Sequence, residues 1–158
     1  ARRITPLDRV AVASPEYFAE RGRPTHPEEL RAHACLIYTL QTSGPTWRFV
    51  GESGEEAAVK VDGPLRADNG DALRDAALTG LGIALLPTFF VHEDIEAGLL
   101  ETALDEWCSW RAAIWALYPH NRHLSAKVRL CVDFLVEEFG GQAPWSKERA
   151  RASGFEIA

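Results

Sequence analysis

The sequence predicts an α/β fold, and three observations lead there. Short apolar runs with β-branched residues, Val10-Ala11-Val12-Ala13 and Ile83-Ala84-Leu85-Leu86 among them, alternate with segments that open on helix-capping chemistry. One stretch forms a complete helix–turn–strand unit: Asp68-Asn69-Gly70-Asp71 starts a helix, Gly80-Leu81-Gly82 stops it, and Ile83 to Leu86 follow as a core strand. The composition, 46% hydrophobic and 25% charged over 158 residues, suits one globular domain with a proper core.

Each element has its own local reason. Val10 to Ala13 reads as a strand. Ser14-Pro15-Glu16 ends it with a hydroxyl N-cap, a proline at the first helical position and an acid in the first turn, and Gly22 supplies the stop. Thr25-His26-Pro27-Glu28 fits a capping box, which predicts a short helix over about 26–33. Cys35 to Tyr38 reads as a buried strand. Trp47 to Val50 and Ala58 to Val61 flank a Gly/Glu/Ser stretch, the pattern of a β-hairpin, and Leu65 to Ala67 follows as a short strand.

After the turn at Asp68–Asp71, apolar residues at 73, 76, 77 and 78 make one buried helical face. Pro87 ends the Ile83 strand. Thr88 is expected to cap a further helix that carries Phe89, Phe90 and Ile95 and stops at Gly98. Leu99 to Leu104 and Ala112 to Leu117 read as two more strands. Ser125 is expected to cap the last helix, with Val128, Cys131, Val132, Leu135 and Phe139 as its apolar stripe and Gly140-Gly141 as its end. Residues 142–158 have no clear period and read as a tail.

The formal net charge of -6, from 17 basic and 23 acidic residues, disfavours nucleic-acid binding by this chain alone. Arg2-Arg3 and Lys147, Arg149 and Arg151 are local basic clusters near the ends and read as solvated termini. Three cysteines, Cys35, Cys108 and Cys131, are far apart and odd in number, which argues for a reducing cytoplasm over a secreted disulfide framework. Cys35 and Cys131 sit among apolar residues and read as buried small hydrophobes. No apolar run nears the roughly 18 residues that span a bilayer, and none follows a basic N-terminus as a signal peptide would. Opening on Ala1-Arg2-Arg3-Ile4 with no methionine anywhere, the sequence reads as part of a longer protein.

Catalysis finds little support. Gly80-Leu81-Gly82 lies between a helix and a strand, the reverse of the order in a dinucleotide site, so a left-handed cap and close backbone packing are expected. His120 and His123 lack neighbouring ligands to complete a metal shell, and His26, His33 and His92 are isolated. Gly51-Glu52-Ser53-Gly54 lacks nucleophile-elbow spacing. Glu52, Glu55 and Glu56 make an acidic loop, and Trp107 and Trp110 beside Cys108 read as packing. No metal, cofactor or catalytic residue is assigned.

The turn at Asp68–Asp71 is the candidate site. A helix start presents unpaired N–H groups and the positive end of the helix dipole, which suits an anion. Gly70 lets a ligand approach the backbone. Helix capping by itself accounts for the same residues; beside that reading stands the α/β order, in which a helix beginning where a strand ends marks the usual edge of a binding crevice.

Several segments, in order from about residue 4 to 139, resemble LysR-type bacterial transcriptional regulators. They are Val12-Ala13-Ser14-Pro15-Glu16-Tyr17-Phe18, Gly22-Arg23-Pro24, Pro27-Glu28-Glu29-Leu30, Cys35-Leu36 and Trp47-Arg48-Phe49. Gly70-Asp71-Ala72-Leu73 with Ala76-Ala77-Leu78, Gly80-Leu81-Gly82-Ile83 and Leu86-Pro87 continue the register. Tyr118-Pro119, Arg122 to Arg129 and Val132-Asp133-Phe134-Leu135 are similar to the closing segment of the family. No piece is diagnostic alone; their order together is specific.

The resemblance implies an α/β fold like that of type II periplasmic binding proteins, two lobes with an effector cleft between them. This chain would be mostly the second lobe plus the C-terminal helix of the first lobe. The implied division is a remnant of the first lobe at 1–7, the second lobe at 8–119, a helix returning to the first lobe at 120–140 and a tail at 141–158. Second-lobe effector contacts carry over to Tyr38, Thr39, Asn69, Gly70 and Asp71. Asn69 would donate through its side chain, and Gly70 and Asp71 through backbone N–H groups, while the Asp71 carboxylate would repel an anion if it faced the cleft. Asn69→Ala is expected to weaken effector binding and leave the fold intact.

The implied partners are a small polar or acidic effector, a second copy in a homodimer or tetramer of the full-length protein, and DNA reached only through a helix-turn-helix domain outside this chain. No membrane partner is expected. Effector binding would shift the population between lobe arrangements and so reposition the DNA-binding domains. Two rivals share the fold. An extracytoplasmic solute-binding protein of a transport system would need a signal peptide and a complete first lobe. An enzyme on the same scaffold would need a nucleophile or an acid–base pair facing the cleft.

Overall fold

In the computed structural model, which describes residues 1–109, 112–118 and 125–140, the local signals resolve into ten strands, four α-helices and one 3-10 helix. The first part runs β1 (Arg2–Leu7), β2 (Arg9–Ala13), α1 (Pro15–Arg21), the 3-10 helix Pro27–Ala32, β3 (Cys35–Tyr38), β4 (Thr46–Gly51) and β5 (Glu56–Lys60). The rest runs β6 (Leu65–Ala67), α2 (Gly70–Leu78), β7 (Ile83–Pro87), α3 (Thr88–Glu96), β8 (Glu101–Ala103), β9 (Trp107–Ser109), β10 (Ala112–Ala116) and α4 (Ala126–Phe139). His120, His123, Trp110, Gly141, the tail from 142 and its basic residues Lys147, Arg149 and Arg151 lie outside the described residues. Contacts divide the chain into two compact units, Arg9–Trp110 and Ala1–Asp8 with Arg111–Ala158.

The larger unit is organised by a five-stranded sheet in the order β6-β3-β7-β2-β8. Strand β3 is parallel to both β6 and β7, whereas β2 is antiparallel to β7 and to β8. Alternate residues of a strand face opposite sides, so unbroken apolar runs are stable only where both faces are covered. That is what happens. Ala11, Cys35, Ile37, Ile83 and Leu85 join Tyr17, Phe18, Leu30, Trp47 and Phe49 in one buried cluster. Val12, Leu36, Ala84 and Leu86 join Leu73, Ala77, Val91 and Leu100 in the other. The predicted hairpin forms as β4 and β5, and β9 adds a third strand to it beside β4.

Helix ends follow their local chemistry, with two departures. Ser14 caps α1, its hydroxyl accepting from the Tyr17 N–H at 3.2 Å. At the end of α2, Gly80 adopts a left-handed φ of 76°; its N–H donates to Ala77 O and that of Leu81 to Ala76 O, which satisfies two terminal carbonyls. Gly82 is required by proximity, because a Cβ there would stand 2.3 Å from the Ala34 carbonyl oxygen.

The box predicted from Thr25 and Glu28 is shifted. His26 is the N-cap, and Glu29 reaches back to the Thr25 N–H at 2.9 Å. With Pro27 first, Glu29 holds the third helical position that such a contact needs. The segment winds as a 3-10 helix. Nor does Thr88 cap α3: it is the first helical residue, behind Pro87.

In the smaller unit β1 pairs antiparallel with β10, with an irregularity between Arg3 and Thr5. The expected second lobe ran to about residue 119, and β10 pairs with β1 rather than with the five-stranded sheet. Helix α4 packs on β1, and Arg2 pairs with Asp133. Val132 is its buried residue, while Cys131 and Val128 are exposed, so only part of the expected stripe is covered. The stripe was read from period alone, and period says which side chains share a face, not how much of that face is covered.

Candidate functional site

Strands β3, β6 and β7 run in the same direction and end at one edge of the sheet. That edge, where carboxyl ends of parallel strands meet helix starts, is the usual binding position of an α/β sheet. All five residues singled out in the sequence come to it. Tyr38 closes β3, in register with Ala67 of β6, and packs on the second core cluster. Thr39 follows it, exposed, and its N–H donates to Ala67 O at 2.8 Å. Two residues past Ala67, Asn69 begins α2.

Asn69 is an occupied cap. Its Oδ1 accepts from the Asp71 N–H at 2.8 Å, so the amide NH2 is the part left to offer a ligand. Gly70 is the first residue of α2, and a Cβ there would lie 2.9 Å from Cζ of Phe90, a ring of α3 laid against the helix start. The backbone there is approached by Phe90 rather than left open on all sides. Asp71 is exposed in the first turn, where its carboxylate complements the dipole of α2.

Two features of the same edge were missed in the sequence. Arg9 starts β2 opposite Pro87, because β2 runs antiparallel to β7. Its guanidinium is partly buried; desolvation pulls its pKa below the ordinary value, and the Tyr38 phenol works in the opposite direction. The second is the start of α3. Thr88 is buried, and its hydroxyl has no hydrogen-bond partner among the described residues. The succession of a strand, a proline and a hydroxyl residue was visible. That Arg9 comes beside it depends on strand pairing that no local pattern reveals. Among the described residues no three His, Cys, Asp or Glu side chains group as a metal site would require.

Comparison with known proteins names the fold around this edge. The LysR substrate binding domain family matches residues 1–140. The chain belongs to that family. It is 36% identical over 146 residues to the HTH-type transcriptional regulator DmlR of Escherichia coli (strain K12), covering 91% of this chain and 47% of DmlR. It is 38% identical over 130 residues to the regulator CrgA of Neisseria meningitidis, covering 82% of this chain and 43% of CrgA. The chain thus spans about half the length of these relatives.

Among solved LysR-type structures, the full-length Vibrio cholerae virulence activator AphB superposes with a TM-score of 0.74 at 35% identity, over 86% of this chain and 46% of AphB. The CrgA regulatory domain gives 0.67 at 33% identity, over 88% of this chain and 68% of that domain. The α/β fold of a LysR effector-binding domain, similar to periplasmic binding proteins, is therefore the fold of this chain. The relatives are transcriptional regulators, which favours regulation over solute transport.

Proposed function

We propose that this chain is the effector-sensing part of a LysR-type transcriptional regulator, and that the edge formed by Tyr38, Thr39, Asn69, Gly70 and Asp71 is one wall of its effector site. The observation that carries the reading is the convergence of these five residues, 30 positions apart in two groups, on the carboxyl ends of parallel strands in a chain of this family. Such an edge supplies backbone donors and short polar side chains, which suit binding rather than bond breaking. The chain acts without a cofactor and is not an enzyme in this reading. Residues 9–110 are the second lobe, and the unit of β1, β10 and α4 is this chain's share of the first.

The full-length regulator works in the cytoplasm as a dimer or tetramer and meets DNA through a helix-turn-helix domain. No helix among the described residues is long and apolar enough to cross a membrane. The effector shifts the balance between lobe arrangements, and DNA binding responds through that shift.

A reporter experiment tests this. The full-length regulator is screened on its own promoter with a panel of small acids and aromatics, beside thermal-shift measurements on the same compounds. The expected result is at least one compound that raises the melting temperature and changes reporter output, with both responses weakened by Thr39→Ala. Reporter output that responds to a stabilising compound equally in wild type and in a variant lacking residues 9–110 would overturn the proposal.

A further inference from the structure

Two asparagines occur in the chain, Asn69 and Asn121, and only Asn69 is followed by glycine. Glycine has no side chain to shield its amide nitrogen, so that nitrogen can attack the side-chain amide carbon of the asparagine before it. The bond from Gly70 N to Asn69 Cγ forms, the Cγ–Nδ2 bond breaks, and Nδ2 leaves as ammonia with the Gly70 amide proton. Water then opens the succinimide ring. Opening at Cγ gives aspartate; opening at the backbone carbonyl gives isoaspartate, in which the main chain runs through Cγ.

Asn69 is exposed, so water reaches it, yet the local geometry opposes the first step. Ring closure needs the Gly70 nitrogen to eclipse the Cα–Cβ bond of Asn69, which in an L-residue falls at negative ψ. Asn69 sits at a ψ of 124°, which turns that nitrogen roughly a third of a turn away from the bond. Three contacts hold it there. The Asp71 N–H donates to Asn69 Oδ1 at 2.8 Å and the Leu73 N–H to Asn69 O at 3.4 Å, while the Phe90 ring stands against Gly70. They are released together when the first turn of α2 unwinds, a local opening that needs no global unfolding.

We propose that Asn69–Gly70 is a modification site of this chain, a self-deamidating peptide that the first turn of α2 keeps closed. Its two products are unlike. Aspartate at 69 keeps an acceptor for the Asp71 N–H and adds a third carboxylate beside exposed Asp68 and Asp71. Isoaspartate lengthens the main chain by one carbon and carries the carboxylate off the cap, so α2 loses its start. The chemistry does not depend on which ligand the edge binds, but both products alter the wall proposed for the effector.

The test is to incubate the 158-residue chain in mildly alkaline buffer, folded and in guanidinium chloride, and to follow the tryptic peptide Ala67–Arg74 by mass spectrometry. Exchange of NH2 for OH adds about one mass unit, and chromatography separates the aspartate and isoaspartate forms. The folded chain is expected to convert about ten-fold or more slowly than the unfolded one. Phe90→Ala and Arg74→Lys, which loosen α3 from α2, are each expected to speed the folded reaction roughly three-fold or more. Val59→Ala, in the other core cluster, is expected to leave it unchanged. Equal rates in the folded and unfolded chains, or no product in guanidinium chloride, overturn the proposal. So does an unchanged rate in whichever of Phe90→Ala and Arg74→Lys fold by circular dichroism. Acceleration by Val59→Ala equal to theirs would make global unfolding the gate and overturn it as well.

Discussion

Arg74 of α2 and Asp94 of α3 are joined by two parallel hydrogen bonds, Nε to Oδ2 at 2.5 Å and Nη2 to Oδ1 at 2.6 Å. The Asp94 side chain is only 6% exposed and that of Arg74 31%. One turn nearer the sheet edge, Phe90 lies against Gly70. The two helices that open at the candidate site are therefore clamped at two levels.

Removing one partner strands the other. Arg74→Ala leaves a buried carboxylate without its fork and should cost about 2–3 kcal/mol in urea unfolding, reduced from a fully buried pair by the partial exposure of Arg74. Arg74→Lys should recover only part of that, since an ammonium cannot reproduce the two-pronged contact. A loss below ~0.5 kcal/mol for Arg74→Ala would mean that water screens the pair as at an ordinary surface.

Asn69 serves the fold as well as the proposed site. Asn69→Ala removes the cap on Asp71 N–H and is expected to cost about 1 kcal/mol, whereas Asn69→Asp keeps an acceptor there and should stay within ~0.3 kcal/mol. Equal losses in the two variants, measured by denaturant unfolding, would show that the cap is not what Asn69 contributes.

Thr88→Val should leave stability unchanged or raise it by up to about 1 kcal/mol, because it removes, at nearly constant volume, a buried hydroxyl that has no hydrogen-bond partner among the described residues. Destabilisation beyond ~1 kcal/mol in a thermal melt would show that the hydroxyl has a partner inside the fold.

Cys35 makes a pH prediction. Burial, and then the charge of Asp62, push its thiol from an ordinary 9.0 up to about 12. Between these values the folded thiol stays protonated while the unfolded one ionises. The stabilisation is thus whole below pH 9 and is lost as pH rises from 9 toward 12, at no more than about 1.4 kcal/mol per pH unit. Cys35→Ala should flatten that alkaline decline while lowering stability at neutral pH by about 1–2 kcal/mol for the lost contacts. Iodoacetamide at neutral pH should modify exposed Cys131 and spare Cys35, read by peptide mass mapping; prompt alkylation of Cys35 would contradict its burial.

Gly82→Ala should be worse than Gly80→Ala. The first drives a Cβ into the Ala34 carbonyl, a backbone atom that cannot swing aside. The second strains a left-handed φ, at about 1–2 kcal/mol. Comparable unfolding midpoints for the two would show that the strand after α2 gives way to relieve the clash.

Much of this fold is written locally. Ser14, Asn69 and Gly80 act through hydrogen bonds a few residues away, so the starts of α1 and α2 and the end of α2 could be read directly. Unbroken apolar runs marked β2, β3 and β7 as core strands, because a run with no polar side needs cover on both faces. The placement of Tyr38 and Thr39 came from resemblance, whereas the turn that holds Asn69, Gly70 and Asp71 was also legible in its helix-start chemistry. The structure sets them at a strand end and a helix start on one edge.

Local patterns are enough to read an α/β chain with a helix start poised where a strand ends. How each helix start is met is set by contacts across the fold. Whether Asn69 already occupies one, whether Phe90 covers Gly70, whether Thr88 finds a partner, and whether Arg9 arrives beside Pro87 all depend on contacts between distant segments. The same holds for β1 with β10 and for the exposure of Cys131. Local periodicity records which side chains share a face. Long-range pairing sets what that face meets, because it joins segments that no local pattern relates.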